Sequence, residues 1–181
     1  MAQVNKTNPI TRLELFLDIL RDRSQSLMTP GRHVAVDEAL VLWKGRLRFR
    51  KFIKTKRARF GVKMFFCPSD KTFSGYSWNF KIYYGRDDYH IADPAAMYLS
   101  ISKRIVVFLM NDLLDTGRHV VTDNWYTSLR LANYLETRLT MLTGIVRYGR
   151  GPPRELQDGK APKKSMLLCA EGECISCEIA G

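Results

Sequence analysis

Apolar and polar positions along this chain follow two different periods, and the change of period divides it. Leu13, Phe16, Leu17 and Leu20 recur at i, i+3, i+4 and i+7, which predicts an amphipathic helix over residues 10–27. Thr11 or Asn8 offers a cap at its start, and Pro30-Gly31 stops it. Residues 33–43, rich in Val, Ala and Leu, predict a strand. Residues 60–67 predict a second, with Val62, Met64 and Phe66 opposite Lys63 and Phe65. After a loop at 68–75, a third strand sets Tyr76, Trp78, Phe80, Ile82 and Tyr84 on one face and Ser77, Asn79 and Lys81 on the other. Three strands in succession predict an antiparallel meander. The aromatic row reads as a half-buried packing face in preference to a base-stacking platform, because polar residues alternate with it.

The period then lengthens. Tyr98, Ile101, Ile105 and Phe108, backed by Leu109 and Leu113, predict one helix over 94–115, with Pro94 near its start and Gly117 past its end. Residues 118–122 form a short apolar strand running into Asp123. Thr127 or Ser128 caps a helix over 129–137, and 139–146 is another strand. Residues 147–164, with three glycines and three prolines, read as a basic loop or linker, and 165–168 open one more strand. The order is helix, three strands, helix, strand, helix, strand, which predicts a mixed α/β fold whose meander feeds a crossover.

Composition narrows the class. With 181 residues, 45% apolar and 11% aromatic, the chain can bury a core of one domain, or of one domain with fragments of another. Its longest apolar run, 105–110, is far below the roughly 20 residues that span a bilayer, so no membrane association is expected. MAQVNKTNPI lacks the apolar stretch of a secretory signal. Cys67, Cys169, Cys174 and Cys177 are too few and too clustered for a disulfide scaffold, which favours a soluble chain in a reducing compartment. Cys174 and Cys177 with Cys169 supply three thiols where structural zinc needs four ligands; His33, His90 and His119 are distant, so these thiols read as incidental.

Charge changes the picture more. Lys44, Arg46, Arg48, Arg50, Lys51, Lys54, Lys56, Arg57, Arg59 and Lys63 all fall between Ala39 and Ser69, where there is no Asp or Glu. These ten account for nearly all of the net charge of +11. In RLRFRK, Arg46, Arg48 and Arg50 alternate with Leu47, Phe49 and Lys51, so an extended chain would present a row of arginines able to follow a phosphate backbone. Lys56-Arg57-Ala58-Arg59 also fits a nuclear import patch. Against this background two acids stand in strand-like sequence, Asp37 in VAVDEALVLWKGR and Asp123 in VVTDNWYTS. Burying such a carboxylate is costly unless it is paired, hydrogen-bonded or on a metal. If the first and fourth strands are neighbours, both converge on one hard cation, and magnesium suits few carboxylates completed by water and phosphate oxygens. A turn or helix-capping role for either acid stays open on spacing alone. Trp125 and Tyr126 read as core anchors that fix the direction of Asp123, and His119, just upstream, as a candidate base.

The stretches VDEALVLWKGRLRFRKFIKTKRARFGVKMF and VTDNWYTSLRLANYLETRLTMLTGIVRYGRGPPREL resemble the transposase domain of piggyBac-type transposases and piggyBac-derived domesticated proteins. The acid before Glu38, the KGR at 44–46, the basic run that follows and the DNWYTS block recur together, and the likeness runs from near Thr11 to about Leu168. It implies an α/β, RNase H-like (integrase/transposase-type) mixed sheet with flanking helices, incomplete at the C-terminus. Residues 1–31 would be a helical lead-in, 32–147 the partial catalytic core, and 148–181 a Gly/Pro linker opening an inserted region. It implies Mg2+-dependent cleavage and strand transfer of DNA at transposon ends, in the nucleus, by three aspartates holding two metal ions. Carried over by motif, Asp37 and Asp123 are the first and second catalytic, metal-binding aspartates, with Asn124 and Trp125 as flanking neighbours. Lys44, Arg46, Arg48, Lys54, Lys56, Arg57 and Arg59 would contact DNA, and a homodimer is left open for the intact family.

The family's third aspartate lies in a G-G-V-D-x-x-D segment that this sequence does not contain. Glu136, Asp158, Glu171, Glu173 and Glu178 match no such motif. The second metal position then lacks its protein ligand, so the chain is expected to be inactive alone. The alternatives are a domesticated, non-catalytic DNA-binding or scaffold protein and a decayed gene product.

Overall fold

A computed structural model of the chain describes residues 10–54, 59–68, 75–85, 93–147, 164–170 and 173–177. Its elements are α1 (Thr11–Leu27), β1 (His33–Leu42), β2 (Lys51–Phe52), β3 (Phe60–Pro68), β4 (Ser77–Ile82), α2 (Ile101–Met110), β5 (His119–Thr122), α3 (Leu129–Thr137), β6 (Met141–Arg147), β7 (Lys164–Ala170) and β8 (Glu173–Cys177). The strands form one mixed sheet in the order β2-β3-β1-β5-β6-β7-β8, with β4 also on β3. β1, β3 and β4 are the expected antiparallel meander, and β5 and β6 lie parallel to β1 on its other side. The chain therefore reverses its direction of growth at β1, crossing from β4 through α2 to reach β5. This is the mixed α/β layout the pattern predicts.

Alternation within the parallel strands sorts their side chains. Val34 and Val36 of β1, Val120 and Thr122 of β5, and Leu142 and Val146 of β6 are buried. The apolar ones among them join one core with Ile105, Val106, Leu109 and Met110 of α2 and Leu131, Ala132 and Leu135 of α3. The alternate positions Asp37, Val121 and Asp123 are exposed. A one-residue slip of β1 would turn both valines outward, costing roughly 1.5–3 kcal/mol each, and carry Asp37 into the core. The register that decides where the carboxylates lie is thus held by the hydrophobic side of the same strands.

Several expectations are corrected. α1 forms, but Leu13, Phe16 and Leu20 of the predicted core stripe are 49%, 59% and 41% exposed. The helix docks through its polar side instead. Arg21 donates to the Phe80 carbonyl at 3.3 Å and lies over the Phe80 and Phe108 rings, while Tyr76 and Trp78 donate to the carbonyls of Ser24 and Met28. Those two bonds also settle the aromatic row as packing under α1. The N-cap of α1 is Ile10, whose side chain makes no capping bond; Thr11 is the first residue of the helix, and Asn8 lies outside the described residues.

The single helix expected over 94–115 is a 3-10 turn at Pro94–Ala96, then α2, then a second turn at Asn111–Leu113. Asp93 caps the start of the first turn by accepting from the Ala95 amide, and Tyr98, between that turn and α2, is exposed. β6 starts at Met141 because Leu139 takes a left-handed φ of 46°. It ends α3 where the Thr140 amide turns back to the Leu135 carbonyl. β8 was not foreseen. It pairs with β7 so that Cys169 stands opposite Cys174 in register. Among the described residues no helix is long and apolar enough to cross a membrane.

Candidate metal and DNA site

The parallel register pairs Val36 with Thr122, the last rung between β1 and β5. Asp37 follows this rung within β1 and Asp123 is the first residue after β5, so both acids lie just past the end of the parallel ladder, where both charges act on the Tyr126 phenol. β1 is also where the sheet changes its direction of growth, the topological position at which α/β sheets open a crevice for ligands. The expectation that these two strands are neighbours holds. The expectation of a burial cost does not, because both acids are exposed.

Each carboxylate is aimed by its own local backbone. Asp37 Oδ1 accepts from the Glu38 amide at 2.8 Å. Asp123 Oδ1 accepts from the Trp125 amide at 2.8 Å, and its carbonyl receives the amides of Tyr126 and Thr127. Thr127 Oγ1 adds a bond to the same carbonyl at 2.7 Å and pairs with Thr122 Oγ1 at 2.7 Å. Of the two caps considered for α3, Ser128 does the capping, accepting from the Leu131 amide. Thr127 is thereby left to brace the turn that carries Asp123.

Beneath that turn lies an aromatic cluster. Trp125 stacks on Phe65 with centroids 5.8 Å apart, and Tyr126 meets Trp125 edge-on at 4.8 Å. Lys63 Nζ sits 4.5 Å from the Trp125 ring centroid. Tyr126 is fully buried and donates its phenol to Glu38 Oε2 at 3.1 Å. Burial, then the Glu38 charge and hydrogen bond, then Asp123 and Asp37 push that phenol far above its ordinary range, so it stays a donor. The anchoring part foreseen for Tyr126 is seen here, but its bond to Glu38 could not be read from spacing.

The basic residues are placed differently from the expectation. Residues 43–50 form a looped turn between β1 and β2, so Arg46, Arg48 and Arg50 do not line one strand face. The reason is local. Phe49 is buried, the Arg50 amide turns back to the Leu47 carbonyl, and the Arg50 guanidinium donates to the carbonyls of Lys44 and Gly45 while covering the Phe60 ring. Arg50 braces the loop. Lys44, Arg46, Arg48, Lys54 and Arg59 are exposed on and around it. Lys56 and Arg57 lie outside the described residues.

His119 is not brought to the carboxylates. It stands four positions before Asp123, roughly 13 Å along a strand. It contacts His33 at 5.2 Å between ring centroids and bonds Thr143 Oγ1. Burial first, then the charges of His33 and Arg32, hold its pKa below the ordinary imidazole value. The folded state therefore prefers neutral His119. Its contribution to stability is intact above the unfolded value near 6.5 and is lost as pH falls through the lower folded value. His119→Gln should flatten the loss of melting temperature between pH 7 and pH 5. An equally steep loss in the variant would refute this.

Cys67 is buried beside Met110, and burial pushes its thiol up to about 12, which makes it unreactive. Among the described residues, no group of three or more His, Cys, Asp or Glu side chains is arranged to hold a metal ion. Among the described residues, the donor set just past the parallel ladder is two exposed carboxylates. That fits one hard divalent cation completed by water and substrate oxygens, and does not fit zinc in a closed site.

Two comparisons bear on this arrangement. A family model described as transposase IS4 matches residues 1–180. The chain is also similar to a piggyBac transposase seen by cryo-EM in a synaptic complex with hairpin DNA, at 27% identity with a TM-score of 0.73. That match covers 92% of this chain and 34% of the other, so the chain spans about a third of that transposase's length.

Proposed function

Since the chain belongs to the transposase IS4 family and has the RNase H-like fold of a piggyBac-type transposase, we propose that it supplies two metal-binding carboxylates and a DNA-facing loop of a cut-and-paste DNA transposase. The observation that carries this reading is the parallel register of β1 and β5, whose last rung, Val36 with Thr122, is followed directly by Asp37 on one chain segment and Asp123 on the other. In this reading both are catalytic residues that hold Mg2+. When bound, the ion supplies the positive charge that activates an attacking oxygen and stabilises the leaving one in phosphodiester chemistry. Asp37 and Asp123 fix its position, and the turn bonds to Asp123 keep that carboxylate from rotating away.

Lys44, Arg46, Arg48, Lys54 and Arg59, with Lys56 and Arg57, bind the DNA backbone. β1 runs five residues past Asp37, to Leu42, before this loop begins, so the loop lies beyond the carboxylates in the strand direction. A DNA partner makes the nucleus the working compartment. Two-metal cleavage requires one more carboxylate than Asp37 and Asp123 supply, and we assign that step to the whole transposase. A DNA-binding module without catalysis is the second reading, favoured by the two-carboxylate donor set.

Titration with Mn2+ as a paramagnetic stand-in tests the metal site. Wild-type chain should bind with loss of at least roughly tenfold affinity in Asp37→Asn or Asp123→Asn, since each removes half of the protein donors. Neither variant should melt lower than wild type, because neutralising one of two adjacent like charges relieves repulsion. Unchanged Mn2+ binding in both variants would overturn the metal assignment. DNA binding by the wild type that falls with salt, without metal-dependent nicking, would select the second reading.

A further inference from the structure

We infer that the Tyr126–Glu38 hydrogen bond is a tether that holds the Asp37 strand and the Asp123 turn at a fixed separation, making Tyr126 and Glu38 positioning residues for the carboxylate pair. The inference rests on the metal reading above and deepens it. Asp37 and Asp123 are 86 positions apart in sequence, and the backbone ladder between their strands stops at Val36 and Thr122. Past that rung the chains diverge, β1 continuing along β3 and the other turning into α3. Asp37 is held on its far side by its rung with Phe66, but Asp123 lies past the end of β5, so no backbone rung joins the two acids to each other.

Glu38 is the residue after Asp37, and its amide is the one that orients the Asp37 carboxylate. Tyr126 lies three residues after Asp123, and its amide bonds the Asp123 carbonyl. The phenol-to-carboxylate bond at 3.1 Å thus joins the residue that aims one acid to the turn that aims the other. It is charge-assisted, which makes it stronger than a neutral bond. Tyr126 is fully buried and flanked by Trp125 and Phe65 rings, so its hydroxyl has little freedom to take another partner. Neither residue needs to touch a metal ion or DNA. Their part is to remove the freedom that two exposed carboxylates would otherwise have to lose on binding.

The test is Mn2+ titration of the 181-residue chain carrying Tyr126→Phe, Glu38→Leu or both, with amide hydrogen exchange of the metal-free proteins alongside. Tyr126→Phe keeps the ring and its packing and deletes only the donor. Each single variant should weaken Mn2+ binding roughly tenfold, the lower end of what is lost when a hydrogen-bond partner behind a metal ligand is removed. The double variant should be no worse than either single one, because both break the same bond. Without metal, the Glu38, Trp125 and Thr127 amides should exchange faster in Tyr126→Phe, while those of α2 stay unchanged. A purely structural Tyr126 would shift the melting temperature and leave Mn2+ affinity in place. Wild-type affinity in Tyr126→Phe, or additive losses in the double variant, would overturn the tether. If wild-type chain shows no Asp37-dependent Mn2+ binding, the metal reading fails, and unchanged exchange at Glu38 and Trp125 would then refute the tether separately.

Discussion

Gly144→Ala is expected to destabilise the chain by about 3–5 kcal/mol, a large share of the roughly 5–15 kcal/mol that holds an ordinary domain together. Gly144 lies in β6, paired with Thr122 on one side and Leu167 on the other, so the backbone there cannot drift. A methyl group would overlap the Thr127 hydroxyl and stand 2.8 Å from the Thr122 carbonyl oxygen. Thr127 is fully buried, and its hydroxyl serves both Thr122 and the Asp123 carbonyl. Two costs therefore add. Overpacking a tight site costs about 1–3 kcal/mol, and displacing the hydroxyl leaves buried polar groups unpaired for about 1–3 kcal/mol more. The melting temperature should fall by roughly 6–20 °C for a chain of this size. Mn2+ binding should weaken with it, since the turn that shifts is the one carrying Asp123. Thr127→Ala combined with Gly144→Ala removes the overlapping atoms, so the pair should be less destabilised than the sum of the two single variants. A Gly144→Ala protein that melts with the wild type would show that this approach is not close in solution.

The second large effect concerns the basic loop. Replacing Lys44, Arg46, Arg48, Lys54 and Arg59 together by glutamine should lower affinity for duplex DNA about a hundredfold to a thousandfold near physiological salt. The slope of log affinity against log salt should drop by about 4–5, because each phosphate contact contributes close to 0.9. All five side chains are exposed, so the fold should tolerate the change. Arg50 belongs to a different class despite sitting in the same run. Its guanidinium is committed to the Lys44 and Gly45 carbonyls and to the Phe60 ring. Arg50→Gln should reduce thermal stability and change the salt slope by less than one contact. Fluorescence anisotropy across a salt series measures both variants. A five-site variant with the wild-type slope would remove this loop from the DNA-binding surface.

That contrast between Arg50 and its neighbours shows where sequence reading stops. Arg46, Arg48 and Arg50 have the spacing of a strand face, yet one buried residue, Phe49, and one backbone turn convert the row into a loop with a brace. α1 teaches the same lesson. Its apolar stripe has helical spacing and it is a helix, but the face with Phe16 and Leu20 points outward and Arg21 makes the docking contacts. Periodicity reports which residues share a face and is silent on which face is covered.

The sequence by itself determined the local alternations, the order of elements in a mixed α/β sheet and the two acids in strand-like settings. It did so because side-chain period and turn chemistry act within a few residues. The tertiary structure alone decided that β1 and β5 pair in parallel with Val36 against Thr122, that Gly144 leaves room for Thr127, and that Tyr126 reaches Glu38. Each of these joins residues far apart in the chain, and their meeting is set by how the sheet and the helices bury a common core.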